Sequence, residues 1–381
     1  MANETTNNPK VDPDEILEGI RAWVEIESPS NDGEAVNLMV DKVETDMQAI
    51  GAELERTPGV DGFGDILTAR TPWGGDGPGI LVMSHLDTVH PIGMIEDILS
   101  WRREGDSVFG PGIYDMKSGA YMAYYAYRHL VRQGKQTPLP ITFMFIPEEE
   151  VGSPTSQAAI EATAKKNKYV LVTEPAREGG KIVTGRRGSA RFKITVNGVP
   201  AHSGLRHQDG RSAIGEMAKH ILFIEGLTDY ERNVTTNVGL ISGGTGTNVV
   251  PSECVIEVDM RLPDMEAVDE FVPKILNITN IDPDCTVTVE GGLNRPPYKK
   301  DEGISALYEH AKGLAADIGF DLQDMYTGGG SDGNFTAALG IPTLDGLGAD
   351  GKGAHAHDEQ IYFSSLEERT ELWIRLFETL E

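Results

Sequence analysis

Five short stretches of the chain set histidine or carboxylate side by side with buried-looking segments. His85-Leu86-Asp87 follows the apolar run 80–83. Asp115 follows Gly110-Pro111-Gly112, and Glu148-Glu149-Glu150 follow the apolar run 141–146 and Pro147. Glu174 closes the run 169–173 ahead of Pro175, and His355 and His357 lie in the loop 353–359 with Asp358 and Glu359. Adjacent carboxylates repel, and a fold keeps them close when cations or a shared proton compensate. Two histidines and several carboxylates with no thiolate suit divalent ions such as zinc, manganese or cobalt. Two such ions about 3.5–4 Å apart can share one carboxylate and one water. A further carboxylate, Glu149 or Glu150, is then free to act as a base. Residues two apart on extended backbone point the same way, so Asp87 can sit behind the His85 imidazole and orient it.

Taken singly, each stretch also has a plainer role. Three glutamates make a solvated turn, Asp115 caps a helix, His85 is a satisfied strand-end histidine, and a loop histidine faces water. Their common setting argues otherwise. The runs 80–83, 141–146 and 169–173 have the length and the β-branched and aromatic content of strands buried on both faces, as in a parallel sheet covered by helices. Ligands in such sheets bind beyond the carboxyl ends of the strands, which is where His85, Glu149, Glu150 and Glu174 fall.

Around these strands the pattern predicts an α/β fold. Asp12-Pro13-Asp14-Glu15 starts a helix over 16–26, and a second covers 33–50 before Gly51. Short strands are expected at 53–56 and 65–69, and helices at 116–133 and 155–166. From Gly185 the character changes. Strands at 191–196, 236–241, 254–261 and 286–290, with helices at 211–226 and 265–278, follow the β-α-β-β-α-β order of a small open-faced sandwich. The segment 291–297 reads as the return linker. A helix (303–318), a Gly-rich turn (327–333), an apolar segment (341–344) and a last helix (364–379) complete the first domain. The expected division is 12–184 and 297–381 for the metal-binding domain, with 185–296 inserted. Residues 1–11 are expected to be disordered.

The composition excludes several classes. Sixty acidic against 33 basic residues give a net charge of −27 over 381 residues. That argues against a nucleic-acid partner, which needs basic patches, and suits attraction of cations. Cys254 and Cys285 are the only cysteines; they read as two reduced core thiols, and no zinc site can be built from them. The amino terminus has no apolar core of a signal peptide, and no run is long enough to span a membrane. The expected setting is cytoplasmic, with no membrane partner.

His85-x-Asp87, Gly110-Pro-Gly-x-x-Asp115, Glu149-Glu150-x-Gly152, Glu174-Pro175 and His355 occur together in this order. With them the chain resembles the co-catalytic metallopeptidases that include glutamate carboxypeptidase, acetylornithine deacetylase, succinyl-diaminopimelate desuccinylase and aminoacylase. It is most similar to the bacterial glutamate carboxypeptidase branch through Asp115-Met-Lys, Glu149-Glu150-Val-Gly-Ser and Thr327-Gly-Gly-Gly-Ser-Asp332.

The resemblance implies a mixed, zinc exopeptidase-like sheet flanked by helices, with an inserted ferredoxin-like α+β dimerisation domain. It implies two divalent ions, zinc before manganese or cobalt. Asp115 bridges them, His85 and Glu174 complete one site, and Glu150 and His355 the other. Glu149 is then the general base and acid, acting on a metal-bridged water, and Asp87 orients His85. His202 matches a small-domain histidine that steadies the oxyanion in the partner subunit's site of a homodimer. Asn248 and Arg261 match small-domain residues near the substrate, and Gly329-Gly330-Ser331 matches a loop against it.

Arg186, Arg187, Arg206, Arg261 and Arg295 are candidates to pair a substrate carboxylate, each with a surface role as its alternative. Glu148 is left to add negative charge nearby or to face solvent. The implied reaction cleaves a C–N bond in a small carboxylate, with release of a C-terminal glutamate or other amino acid. Alternatives are a deacylase, amidase or aminohydrolase acting on an N-acyl amino acid or aromatic compound, and a non-catalytic metal-binding homologue. One departure stands out. The family shows one histidine in the last motif followed by Glu, and here there are two; the spacing His355-x-x-x-Glu359 favours His355 over His357.

Overall fold

Apolar runs with too few polar positions to face water form the middle of a six-stranded sheet. The computed structural model describes residues 10–381 apart from Asp76. The disorder expected of residues 1–11 therefore lies, for 1–9, outside the described residues. The sheet runs Glu53–Thr57, Ile66–Arg70, Ile141–Ile146, Gly79–His85, Asn167–Val172, Thr343–Leu344. Its last four strands are parallel and the first two antiparallel. Gly79–His85 and Ile141–Ile146 are buried along their whole length, as strands covered on both faces must be. The register sets His85 opposite Ile146, and the Thr173 N–H donates to the Met83 carbonyl at 3.0 Å. Three strand ends are thus level, so the residues that follow them emerge together.

The covering helices follow their sequence signals closely. Pro13–Val24 is capped by Asp12, whose Oδ1 accepts the N–H groups of Asp14 and Glu15 at 3.0 and 3.2 Å. Gly33–Ala49 starts at Asp32. The long helix Ser118–Arg132 presents tyrosines inward, with Tyr121 edge-on to Trp23 at 5.2 Å and Tyr127 at 5.6 Å from Phe143. It begins two residues later than the expected 116. The preceding segment Ile113–Lys117 is an irregular turn in which Asp115 is extended (φ −115°, ψ 93°), and the Asp115–Met116 peptide is cis. Asp115 is therefore not the cap of this helix. A small four-stranded sheet orders Gly351–Lys352, Gln360–Tyr362, Ser107–Phe109 and Arg102–Glu104. From it spring both the segment leading to Asp115 and the loop that carries His355.

The chain divides into two compact units. The first runs to Thr184 and resumes over Lys300–Tyr326 and Ser331–Glu381; the second is Gly185–Lys299 with Thr327–Gly330. In the second, the strands Thr235–Gly243, Glu253–Leu262, Gly188–Asn197 and Thr286–Arg295 lie in that order, all antiparallel. With helices Ala213–Glu225 and Met265–Leu276 this is the ferredoxin-like arrangement. Alternate residues Ala190, Phe192, Ile194 and Val196 enter its core with Cys254 and Cys285, both free thiols.

The linker expected at 291–297 is a correction: the strand continues to Arg295. Gly291 keeps the ladder by adopting φ +105°, where a Cβ would meet the Arg191 carbonyl at 2.1 Å. Gly291, which with Gly292 looks like a break in the sequence, is instead a close backbone approach. Among the described residues no helix is long and apolar enough to cross a membrane.

Candidate metal centre

At the carboxyl ends of the large sheet the structure gathers His85, Asp115, Glu149, Glu150, Glu174 and His355. One donor atom each from His85, Glu149 and Glu174 lies within 4.8 Å of the others, as does one each from His85, Asp115 and Glu150. His85 Nε2 is 3.1 Å from Asp115 Oδ1 and 3.8 Å from Glu174 Oε1. His355 Nε2 is 3.0 Å from Glu150 Oε2 and 3.5 Å from Asp115 Oδ2. Asp115 therefore turns one carboxylate oxygen toward each histidine. His355 and His357, the alternatives of the last motif, are both exposed, but it is His355 whose ring nitrogen lies within 4 Å of Asp115 and Glu150.

The charges are unbalanced in a way that suits a cation. Glu150 is buried, and its Oε1 has no hydrogen-bond partner among the described residues. Burial, reinforced by repulsion from Asp115, pushes its carboxyl up to about 8. Hydrogen bonds to Asp115 and Glu150 raise His355 to about 10. Burial opposes a charged His85, but hydrogen bonds to Asp115 and Asp87 outweigh it and hold the imidazole well above its usual value. Burial likewise opposes ionised Asp115, yet His355 and His85 keep it well below the carboxylate range. Protons thus occupy places that divalent ions fill in a nitrogen–oxygen donor set. The residues present fit such ions.

Neighbouring groups fix the cluster in ways the sequence did not reveal. His85 Nδ1 is closer to the Asp87 main-chain carbonyl (2.9 Å) than to its Oδ1 (3.4 Å). The Asp87 carboxylate instead accepts the N–H groups of Glu149 (3.1 Å) and Glu150 (3.2 Å) and the Ser30 hydroxyl (2.5 Å). Asp87 thus holds the histidine with its backbone and the glutamate turn with its side chain.

Glu148 does not face solvent. It is fully buried, and accepts the N–H and hydroxyl of both Thr155 and Ser156 at 2.7–3.1 Å. Arg177 stands 3.6 Å from Glu174 Oε2, on the side away from His85; its place three residues beyond Glu174 was the only signal for it. Burial lowers the Lys117 ammonium to about 7, with Glu359 and Glu27 drawing it back, and Nζ donates to the Ile26 carbonyl at 2.5 Å.

The remaining predicted residues belong to the second unit, apart from Ser331. His202 and Asn248 are exposed there, and His202 Nδ1 accepts the Gly204 N–H at 3.2 Å. Arg261 makes a two-point pair with Asp259 at 2.7 and 3.0 Å. Arg206 is exposed and paired with Asp209 at 2.5 Å. Arg186 and Arg295, candidates to pair a substrate carboxylate, are both buried, which removes the surface role that was their alternative. Arg186 donates to the carbonyls of Gly329 and Gly330 at 3.0 and 3.2 Å, so it shapes the loop assigned to the substrate. The Ser331 hydroxyl is buried on Asp345 Oδ2 at 2.5 Å and accepts the Gly333 N–H, and its main-chain N–H and carbonyl are both bonded to Asn334.

The chain is similar to known proteins over these same elements. Residues 81–379 match the model of peptidase family M20/M25/M40. Carboxypeptidase G2 of Pseudomonas sp. (strain RS-16) is 27% identical over 367 residues, covering 95% of this chain and 88% of the relative. A succinyl-diaminopimelate desuccinylase of Hydrogenovibrio crunogenus is 27% identical over 86% of this chain and 89% of its own length. The fold matches an M20 family metallo-carboxypeptidase from Sulfolobus solfataricus with a TM-score of 0.75, at 19% identity over 97% of this chain and all of that one. Because the family match takes in every residue of the cluster, the chain belongs to peptidase family M20/M25/M40 and is a metal-dependent hydrolase of amide bonds.

Proposed function

We propose that the protein is carboxypeptidase-like, holds two zinc ions (manganese or cobalt in their place), and releases a C-terminal glutamate or another amino acid from a small carboxylate substrate. The observation that carries this reading is the division of Asp115, whose two oxygens face His85 and His355 separately. His85 and Glu174 would complete the set on one side of it, and Glu150 and His355 on the other. Ions held there supply Lewis acidity and a water acidic enough to lose its proton near neutral pH.

The protein's own groups do the rest. Glu149 takes the proton of the attacking water and returns it to the leaving nitrogen. Its main chain is tied to Asp87, which keeps the carboxylate beside the cluster. The second unit serves as a dimerisation domain. Its edge strand Thr235–Gly243 exposes Leu240 and Ile241, and helix Ala213–Glu225 exposes Leu222 and Phe223, an apolar set that suits a second copy. In that homodimer His202 steadies the oxyanion of the partner subunit's reaction. Asn248, Arg261, Arg295 and the Gly329–Gly330–Ser331 loop contribute to substrate binding. Two free buried thiols suit a reducing, cytoplasmic setting.

The likeness to a desuccinylase favours a second reading, a deacylase or amidase with little demand on the C-terminal residue. One panel decides. Zinc-loaded protein is given N-acyl amino acids ending in glutamate, aspartate, leucine or phenylalanine, and amine release is followed. Fastest release from the glutamate compounds is expected; equal rates across the C-terminal residues would favour the deacylase, and no release from any would overturn both.

A further inference from the structure

One buried carboxylate near the cluster has no part in the reaction derived above. Glu359 is 1% exposed and follows His355 by four residues. Its Oε1 accepts the N–H groups of Tyr114 (2.8 Å) and Asp115 (2.9 Å). Its Oε2 accepts the Gly112 N–H (3.0 Å) and lies 2.6 Å from His90 Nε2. Each oxygen thus meets two donors. Three of the four donors belong to the backbone that presents Asp115, about 240 residues away in the chain.

The other end of Glu359 is anchored as well. Gln360 pairs with Phe109 and with Lys352, so the residue sits at the closed base of the loop 353–359. Within that loop the Ala356 N–H donates to the Gly353 carbonyl and the Glu359 N–H to the Ala356 carbonyl. At its tip His355 adopts φ +63°, a left-handed conformation that is unfavourable for a non-glycine residue. A loop held open at its base would relax out of it.

We propose that Glu359, backed by His90, is a positioning residue that locks the Asp115 segment to the His355 loop and so sets the gap in which the ion between Asp115, Glu150 and His355 is held. This rests on the two-ion reading above and deepens it. Groups that orient ligands in this way are commonly worth 10–100-fold in metal affinity. Glutamine is the informative replacement. An amide keeps the shape but offers one acceptor oxygen, so whichever way it turns, an NH2 group meets N–H donors.

The test is titration of metal-free protein with zinc, read by calorimetry, alongside the melting temperature of the same metal-free protein. Glu359→Gln is expected to bind its weaker ion about 10–100-fold less tightly, and excess zinc should restore turnover. The second unit supplies a control of like construction. Buried Glu216 accepts the N–H groups of Ile281 and Asp282 beside His220, and Glu216→Gln should leave zinc affinity within about twofold whatever it does to melting. His90→Gln, which keeps all three backbone bonds, should show the same loss in milder form, roughly threefold to tenfold.

Wild-type affinity in Glu359→Gln, or an equal loss in Glu216→Gln, would overturn the proposal. If Glu359→Gln does not fold, an unchanged affinity in His90→Gln overturns it and a weakened one supports it. A wild-type protein that takes up no zinc would instead sink the metal reading, and the positioning role with it.

Discussion

At the strand ends of the large sheet, His85, Asp115, Glu150 and Glu174 are packed within 4 Å of an oppositely charged group yet remain out of balance, with one Glu150 oxygen unpartnered among the described residues. The surface of the second unit carries as much charge and handles it differently. Arg206–Asp209, Arg232–Glu270 and Lys274–Glu270 are close pairs at 2.5–2.8 Å, in contact with water. Exposed pairs of this kind contribute about 0–1 kcal/mol. Charge marks chemistry where burial makes it costly and no neighbour cancels it, and marks solubility where water already screens it.

The same contrast recurs between residues two apart in the chain. Glu148 and Glu150 are both buried. The first meets four donors and is structural, and the second meets only His355 and keeps one oxygen unpartnered among the described residues, open to a cation.

The sharpest way to break the contrast is at Glu149. Glu149→Gln should lower turnover by about 10²–10⁴-fold while metal analysis of the purified protein still finds the wild-type ion content. Near wild-type turnover would remove its role as the base.

Stripping the ions comes next. A chelator should abolish activity and lower the melting temperature; an ion at 100 times its Kd stabilises by about 2.7 kcal/mol. Because His355 is raised to about 10 and Glu150 to about 8, both hold protons at pH 7 until an ion displaces them. Ion uptake at pH 7 should therefore release protons, and affinity should climb from pH 6 to pH 8. Calorimetry in buffers of different ionisation enthalpy measures the release, and a pH-independent affinity would contradict the arrangement.

A third comparison pits the two buried glutamates against each other in metal-free protein. Glu148→Ala strands four donors and should cost about 3 kcal/mol in denaturant unfolding. Glu150→Ala removes a repelled carboxylate with one unpartnered oxygen and should cost less than about 1 kcal/mol. Equal costs would mean that hydrogen-bond satisfaction does not separate the two. Smallest of all is Arg206→Ala on the second unit, expected within about 0.5 kcal/mol of wild type; a larger loss would show that its pair with Asp209 is more than surface charge.

Much of this was legible because it is local. Apolar runs of strand length announced the centre of the large sheet, and turn residues announced its ends. The alternation in 191–196 and the spacing of the next five elements were enough for the ferredoxin-like order. The misreadings have a common cause. Gly291-Gly292 looked like a linker because flexibility is all that two glycines express alone, whereas the need for a close approach to Arg191 lies on another strand. A surface role stood as the alternative for Arg186 and Arg295 because nothing beside them in the chain foretells the backbone and packing that bury them. Asp87 was assigned to its near neighbour His85, which it does hold; what the sequence did not show is that its carboxylate also serves a turn 62 residues away.

The sequence by itself determined which donors the protein has, their order, and that they stand at strand ends. Those properties follow from residue type and short-range periodicity. Tertiary structure decided how the donors are shared: which Asp115 oxygen faces which histidine, which of three successive glutamates is satisfied, and what holds the His355 loop to the Asp115 segment. The first and last of those depend on groups 30 to 247 residues apart, and even Glu148 is satisfied by Thr155 and Ser156 only because the turn after it folds back.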